Sequence, residues 1–286
     1  MRIALFGATG FIGGHVCRAL LKAGHEVVSL HRAGSAARDS HNRLHWVAGR
    51  WGRLEATSWQ GMDVAINAVG LLREEKGATF SSVHVEGLKD AMGACDAPRW
   101  IQISALGASF DAPTAFLRTK AEADAWLMTQ RSTCVLRPSV VYGPGDFSMA
   151  FLQRLARLPI TPLPMGGAMR LQPLYVGDLA DAVVTLLAQP DAQGVWDLGG
   201  PEALALRSIL EQLAAPKPFR GVNVPVGLMQ WAARMGGWWG SALLSPEALT
   251  MLVAGNTCDP EPLSALLGRP PVRFQQGLAL RAAGMP

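Results

Sequence analysis

Three glycines spaced G-x-x-G-x-x-G (Gly7, Gly10 and Gly13) follow directly on a short apolar run, Ile3 to Phe6. A helical pattern begins among them, with Phe11, Ile12, Val16, Ala19, Leu20 and Leu21 apolar. The order is strand, tight turn, helix. Glycine permits a backbone path and a close approach that a Cβ would block. Behind the turn, a helix N-terminus presents unpaired N–H groups and the positive end of its dipole, which suit a pyrophosphate. The segment therefore reads as a dinucleotide-binding β-α-β unit. The bland alternative is that the glycines only allow tight helix–strand packing.

A second strand arrives on schedule, Glu26 to His31, preceded by Gly24 as a helix C-terminal cap. In such units an acidic residue ending this strand binds the ribose 2′-hydroxyl of NAD, whereas an arginine accommodates the 2′-phosphate of NADP. Here the strand ends His31-Arg32, and no carboxylate follows until Asp39. Arg32 offers a charge-assisted, bidentate contact to phosphate. NADP(H) is therefore expected in preference to NAD(H). A solvated surface arginine is the competing account of Arg32.

The length of 286 residues suits one large α/β domain or a core with an appended lobe. With 49% hydrophobic and 17% charged residues, the chain fills a core and does not read as disordered. A net charge of +4 helps attract a polyanionic cofactor. It is too small, without a run of basic residues and aromatics, to indicate nucleic acid. Cys17, Cys95, Cys134 and Cys258 lie far apart with no metal or C-x-x-C spacing. They read as reduced thiols of an intracellular protein, and no metal site is expected. No apolar stretch reaches the length of about 18 residues that marks a membrane span, and no signal peptide precedes the first strand. The cytoplasm is the expected compartment, with attachment at the edge of a membrane complex as the variant.

Strands alternate with helices through the first half, as a parallel sheet requires. Leu44 to Ala48, Asp63 to Val69, Trp100 to Ser104 and Thr133 to Arg137 read as the third to sixth strands. Phe80 to Cys95 and about Pro113 to Gln130 read as helices. After that, prolines cluster at positions 159, 162, 164 and 173, and Val195 to Leu198 reads as one more strand. The tail from about residue 202 reads as mostly helical. The expected architecture is α/β: a Rossmann-type doubly wound parallel sheet with a small, mostly helical C-terminal lobe for a substrate or partner. The cofactor core spans 1–150 and the lobe 151–286, with about 170–200 returning to the core.

Several motifs resemble the short-chain dehydrogenase/reductase superfamily in its extended and atypical branches: the glycine fingerprint, Asn67-Ala-Val-Gly70, Ile103-Ser-Ala-Leu-Gly-Ala108, Arg137-Pro-Ser-Val-Val-Tyr-Gly-Pro144 and Tyr175-Val-Gly-Asp178-Leu-Ala180. Ser104-Ala-Leu-Gly-Ala108, Phe116-Leu-Arg-Thr-Lys120-Ala-Glu122 and Leu171-Gln-Pro-Leu-Tyr-Val-Gly-Asp178 narrow this further. Together they resemble the nucleotide-binding accessory subunit family of respiratory complex I and its bacterial relatives. The resemblance implies that Gly7, Thr9, Gly10, Phe11, Ile12 and Gly13 hold the pyrophosphate, with His31 and Arg32 at the 2′-position. It places Ala68, Val69 and Gly70 near the adenine ribose, Lys120 at the nicotinamide ribose, and Pro138, Ser139 and Val140 beside the nicotinamide. Ser104 lies at the same edge. It also implies a protein partner or a membrane-associated complex.

The chain departs from that pattern where chemistry is done. Active members carry Tyr-x-x-x-Lys on one helix face, the ammonium lowering the phenol's pKa for proton exchange. Here the pair reads Phe116 and Lys120, and a phenyl ring has no proton to give. The usual serine is displaced too: Leu106 stands where extended members carry it, and Ser104 lies two residues earlier. Gly49-Arg50 stands where relatives tend to show Gly-Asp. Three accounts remain open. Lys120 acts alone as proton donor, its pKa depressed by burial; or Tyr142 or Tyr175, the only two tyrosines, turn toward a substrate; or no redox chemistry occurs and the cofactor is structural or sensed. Lys120 also reads as a cofactor-positioning donor, and Tyr142 as a packed residue with its hydroxyl bonded to a neighbour. Asp178 reads as the N-cap of a helix, and His84 as a satisfied or partly exposed histidine. The segment Met229 to Gly240, with Trp231, Trp238 and Trp239, reads as a core-facing helix and loop, a lid, or a docking surface for a partner or bilayer interface.

Overall fold

The computed structural model describes residues 1–32, 41–236 and 246–284. Six strands open the chain: β1 (Arg2–Phe6), β2 (Glu26–Arg32), β3 (Leu44–Gly49), β4 (Val64–Asn67), β5 (Arg99–Ile103) and β6 (Ser132–Pro138). Four short ones follow: β7 (Val141–Tyr142), β8 (Thr161–Pro164), β9 (Arg170–Leu171) and β10 (Leu174–Tyr175). Then come β11 (Gly194–Leu198), β12 (Leu204–Ala205) and β13 (Gly221–Val224). The helices are α1 (Phe11–Lys22), α2 (Gly87–Ala94), α3 (Ala115–Gln130), α4 (Ser148–Ala156), α5 (Val176–Leu187), α6 (Leu206–Ala214), α7 (Val226–Gly236), α8 (Pro246–Ala254), α9 (Glu261–Leu267) and α10 (Phe274–Ala282).

Seven strands form one sheet in the order β11-β6-β5-β4-β1-β2-β3, every pairing parallel. The order reverses between β1 and β4, which is where a doubly wound sheet opens a crevice at its carboxyl edge. All residues of β4 and β5 are buried, as strands covered on both faces must be. The period-two alternation of β1 sends Ile3 and Leu5 to one face and Ala4 and Phe6 to the other. The first face packs against α1, α5 and α9 through Val16, Leu20, Leu179, Val183, Leu263 and Leu266. The second packs against α2 and α3 through Leu88, Ala91, Ala123 and Leu127. There Phe6 lies between Trp59 and Trp100, its ring centroid 4.7 and 5.9 Å from theirs.

A separate cluster builds the C-terminal lobe, with Leu163, Ile209, Leu210, Leu213 and Phe274 at its centre. The tail read as mostly helical also carries strands: β13 runs parallel to β8, and β12 pairs antiparallel with β9. Pro162 and Pro164 hid β8, because proline cannot donate to a ladder; a two-stranded edge tolerates it. The helix read from Phe80 winds as a π turn over Ser82–Glu86 before α2 begins. His84 and Val85 are both buried in that turn.

Asp178 is not the N-cap of α5. The cap is Tyr175, and Asp178 sits in the first turn with 1% of its surface exposed. Its carboxylate accepts the Val272 N–H at 2.7 Å and meets Arg269 Nη1 at 2.8 Å, tying the C-terminal segment to the core. Asp146, equally buried, accepts Arg281 Nε at 2.6 Å from α10. None of the helices among the described residues is long and apolar enough to cross a membrane, and no group among these residues has a metal-binding arrangement.

Candidate functional site

The glycine turn lies at the carboxyl end of β1, at the strand-order reversal. Gly7 has φ +96°, and a Cβ there would come within 2.8 Å of the Ala68 backbone. A Cβ on Gly13 would overlap the Gly7 carbonyl. Both glycines are therefore required for β1, α1 and the end of β4 to approach this closely. The α1 N-cap is Gly10, with no side-chain cap and no carboxylate in the first turn. The leading N–H groups of α1 have no intrahelical acceptor. An uncapped, acid-free helix start behind a glycine cradle fits the pyrophosphate of a dinucleotide. Thr9 and Gly10 are exposed, and Phe11 and Ile12 half-buried, at that opening.

Around it stand the other predicted residues. Ala68 donates its N–H to Phe6 O, and Val69 donates to Asn67 Oδ1 at 3.0 Å. Asn67 is itself fixed by a 2.9 Å bond to Gln102. His31 is half-buried, its ring edge-on to Trp46. The backbone of Arg32 closes β2; its side chain lies outside the described residues. Ser139 is buried and donates its hydroxyl to Asn256 O at 3.3 Å. Pro138 O accepts the Leu106 N–H at 2.9 Å, and Val140 O accepts that of Leu174. Gly70 abuts Lys120: a Cβ there would lie 3.6 Å from the Lys120 Nζ.

Lys120 projects from α3, whose start is capped by Thr114 and by Glu247 of α8, which accepts the Ala115 N–H at 3.1 Å. Lys120 is 4% exposed, and its ammonium donates to Ile103 O at 3.1 Å and Val69 O at 3.5 Å, bridging the ends of β5 and β4. Burial pulls its pKa down to about 8. Phe116, one turn earlier, packs against Phe80 and His84. His84 is satisfied and buried. Its Nε2 accepts the Leu71 N–H at 3.2 Å, and its Nδ1 lies 2.9 Å from Thr119 Oγ1. Burial, with the Lys120 charge second, lowers its pKa to about 3. The neutral Nδ1–H tautomer follows, because the other nitrogen accepts.

Ser104 donates to the buried Asp124 Oδ2 at 2.7 Å, and the same oxygen accepts Arg137 Nε at 3.2 Å. Asp124 Oδ1 has no hydrogen-bond partner, and burial raises the pKa of this carboxyl. Asp124 and Arg137 border a cleft of about 690 Å³ walled by Phe110, Ala121, Ala125 and Met128. Asp124, Glu247 and Asn256, which donates Nδ2–H to Leu106 O at 3.3 Å, were not singled out from the sequence. Only the Lys120 spacing pointed toward Asp124, one turn further along the helix.

The tyrosines do not join this group. Tyr142 is fully buried in the C-terminal cluster beside Tyr175 and Phe274, its hydroxyl donating to Phe274 O at 3.3 Å. Burial pushes its phenol upward, the opposite of a poised acid. The expectation that Tyr142 serves catalysis is corrected on these grounds. Tyr175 is 3% exposed in the same cluster. Trp231 is exposed on α7, while 237–245, with Trp238 and Trp239, lie outside the described residues.

Residues 3–199 match the model of the NAD dependent epimerase/dehydratase family. The chain is 30% identical over 231 residues to "NADH dehydrogenase [ubiquinone] 1 alpha subcomplex subunit 9, mitochondrial" of Arabidopsis thaliana, covering 72% of this chain and 56% of that protein. It is 30% identical over 197 residues to "Ceramide reductase" of Caulobacter vibrioides, covering 66% of this chain and 61% of that one. The chain thus spans less than two thirds of either relative. Among solved structures, Thermus thermophilus UDP-glucose 4-epimerase in complex with NAD superposes with a TM-score of 0.74 at 20% identity, covering 99% of this chain and 98% of the other. That likeness is one of fold.

Proposed function

This chain belongs to the NAD dependent epimerase/dehydratase family, and from that premise we propose that it is an NADP(H)-binding member with little conventional dehydrogenase activity, acting as an accessory, assembly or sensing component. The observation that carries this reading is Phe116, standing four residues before a buried Lys120 where a phenol would be needed. Ser104 supports it: its proton is committed to Asp124, so it is not free to polarise a substrate oxygen. Losing a general acid typically costs about 10²- to 10⁴-fold in rate. The similarity to a mitochondrial complex I subunit supports a partner at the periphery of a membrane-bound assembly. The expected compartment is the cytoplasmic side of such an assembly.

In this reading the Gly7–Gly13 turn and the α1 N-terminus hold the pyrophosphate, and His31 and Arg32 face the 2′-position. Ala68 to Gly70 line the adenosine side. Lys120 hydrogen-bonds the nicotinamide ribose, and Ser104 with Pro138 to Val140 flank the nicotinamide. When bound, the cofactor would supply a hydride; this chain's residues supply position and exclude water. The test is calorimetric titration of nucleotide-stripped protein with NADPH and with NADH, followed by NADPH oxidation across a panel of ketones and enones. Tighter NADPH binding, weakened in Arg32→Ala, with no turnover is expected. Binding of neither nucleotide sinks the proposal.

A second reading is favoured by one observation, the depressed pKa of Lys120, about 8. An ammonium close to neutrality is a competent proton donor for a reductase acting on a small hydrophobic carbonyl. NADPH oxidation abolished by Lys120→Met, with nucleotide affinity kept within a few-fold, would decide for it.

A further inference from the structure

Parallel pairing sets His31 opposite Ala48 and Arg32 opposite Gly49. Arg50 is thus the first residue beyond the paired end of β3, at the carboxyl edge of the sheet and on the strand neighbouring Arg32. Adjacent strands lie about 4.8 Å apart, well within the span of an arginine side chain. The end of β2 is where this fold receives the 2′-position of the adenosine. Arg50 is exposed, and its guanidinium has no recorded partner among the described residues.

The backbone of Arg50 is held in place. Arg50 and Arg53 form an antiparallel bridge, with the Arg53 N–H on Arg50 O at 3.0 Å and Gly52 at φ +80° between them. Trp51 anchors this turn to the neighbouring helix region, its indole N–H donating to Val83 O at 2.9 Å. Its ring lies so close to Gly87 that a Cβ there would overlap the indole. An unpaired cation on a fixed turn, one strand from Arg32, is arranged for a dianion.

We propose that Arg50 is the second arm of a two-arginine clamp, with Arg32, on the 2′-phosphate of NADP(H), and that it sets the preference over NAD(H). This rests on the NADP(H) reading given above. Guanidinium forks match phosphate oxygens bidentately, whereas the 2′-hydroxyl of NAD gains nothing comparable from a second cation.

Calorimetry on the nucleotide-stripped full chain tests it, with NADPH, NADH, adenosine 2′,5′-bisphosphate and 5′-AMP as probes. Arg50→Gln and Arg50→Asp should each raise the Kd of NADPH and of adenosine 2′,5′-bisphosphate about tenfold or more. NADH and 5′-AMP should stay within about twofold, and Arg50→Lys should keep part of the affinity. Melting curves confirm that the variants are folded. Equal losses for all four probes would reveal a structural role and overturn the clamp. Unchanged NADPH binding in the Arg50 variants, alongside a loss in Arg32→Ala, would overturn the clamp and leave the cofactor reading standing. A wild type that binds NADPH no more tightly than NADH would bring down that reading and the clamp with it.

Discussion

Lys120 is the residue on which most turns, and its burial has a consequence for stability. Its pKa is about 8 in the folded chain against about 10.4 in an unfolded one. Below pH 8 both states hold the proton, and the fold carries a buried cation. Between pH 8 and about 10.4 the folded state releases the proton first, so the unfolded state binds more protons and stability rises with pH. Relative to Lys120→Met, the wild type should gain on the order of 3 kcal/mol between about pH 7 and pH 10.5. Urea unfolding of both proteins across that range measures it, and a flat difference would contradict the buried ammonium. Phe116→Tyr gives a second check. It restores a phenol beside Lys120 but leaves Ser104 bonded to Asp124, so NADPH oxidation is expected to stay at background on the same ketone panel. Phe116 and Lys120 were legible because a spacing of four on one helix is a local fact. Glu247 and Asn256 were not, since their partners Ala115 and Leu106 lie 132 and 150 residues away.

At the scale of elements, the β1–turn–α1 unit was readable because its signal is steric and contiguous. Gly13→Ala should destabilise the protein by about 1–3 kcal/mol through overpacking against the Gly7 carbonyl and remove nucleotide binding. Thermal melts with and without NADPH report both effects, and a variant that still gains stability from NADPH would refute the cradle. The sheet strands were found to within a residue or two at most ends, since β-branched and apolar runs between helical stretches leave few alternatives. Asp63 to Val69 was read one residue too early and two too far. Only Val64–Asn67 pairs as strand, because the chain must turn away at Ala68 and Val69 to clear Gly7. The β8–β13 pair was not found, for its pairing rests on backbone bonds between segments some sixty residues apart, with prolines masking one partner. Asp178 misled for a related reason: an acid at a helix start usually caps it, but this one reaches across to Val272 and Arg269.

Across the whole molecule, buried carboxylates tether C-terminal segments, Asp178 holding Arg269 and Asp146 holding Arg281. The Asp146 side chain is 1% exposed and accepts from Gly143, Met149, Ala150 and Arg281. Asp146→Ala strands Arg281 and three donors, and should cost about 3–5 kcal/mol, read as a lowered urea midpoint. A stability loss under about 1 kcal/mol would mean that α10 is held by its apolar contacts alone. The doubly wound class was legible from the alternation of elements, and the tethers were not, because no local pattern announces which distant carboxylate an arginine will meet.

The seating of α9 sets when one layer of the core can be completed during synthesis. Leu263 and Leu266 fill the same layer as Val16, Leu20 and the inward residues of β1. The β1–turn–α1 unit is translated before α9, yet its floor is completed only when that helix arrives. At ordinary synthesis rates, the interval between them on the ribosome is on the order of tens of seconds. Until α5 and then α9 are made, part of the apolar face of α1 and β1 stays open on the nascent chain.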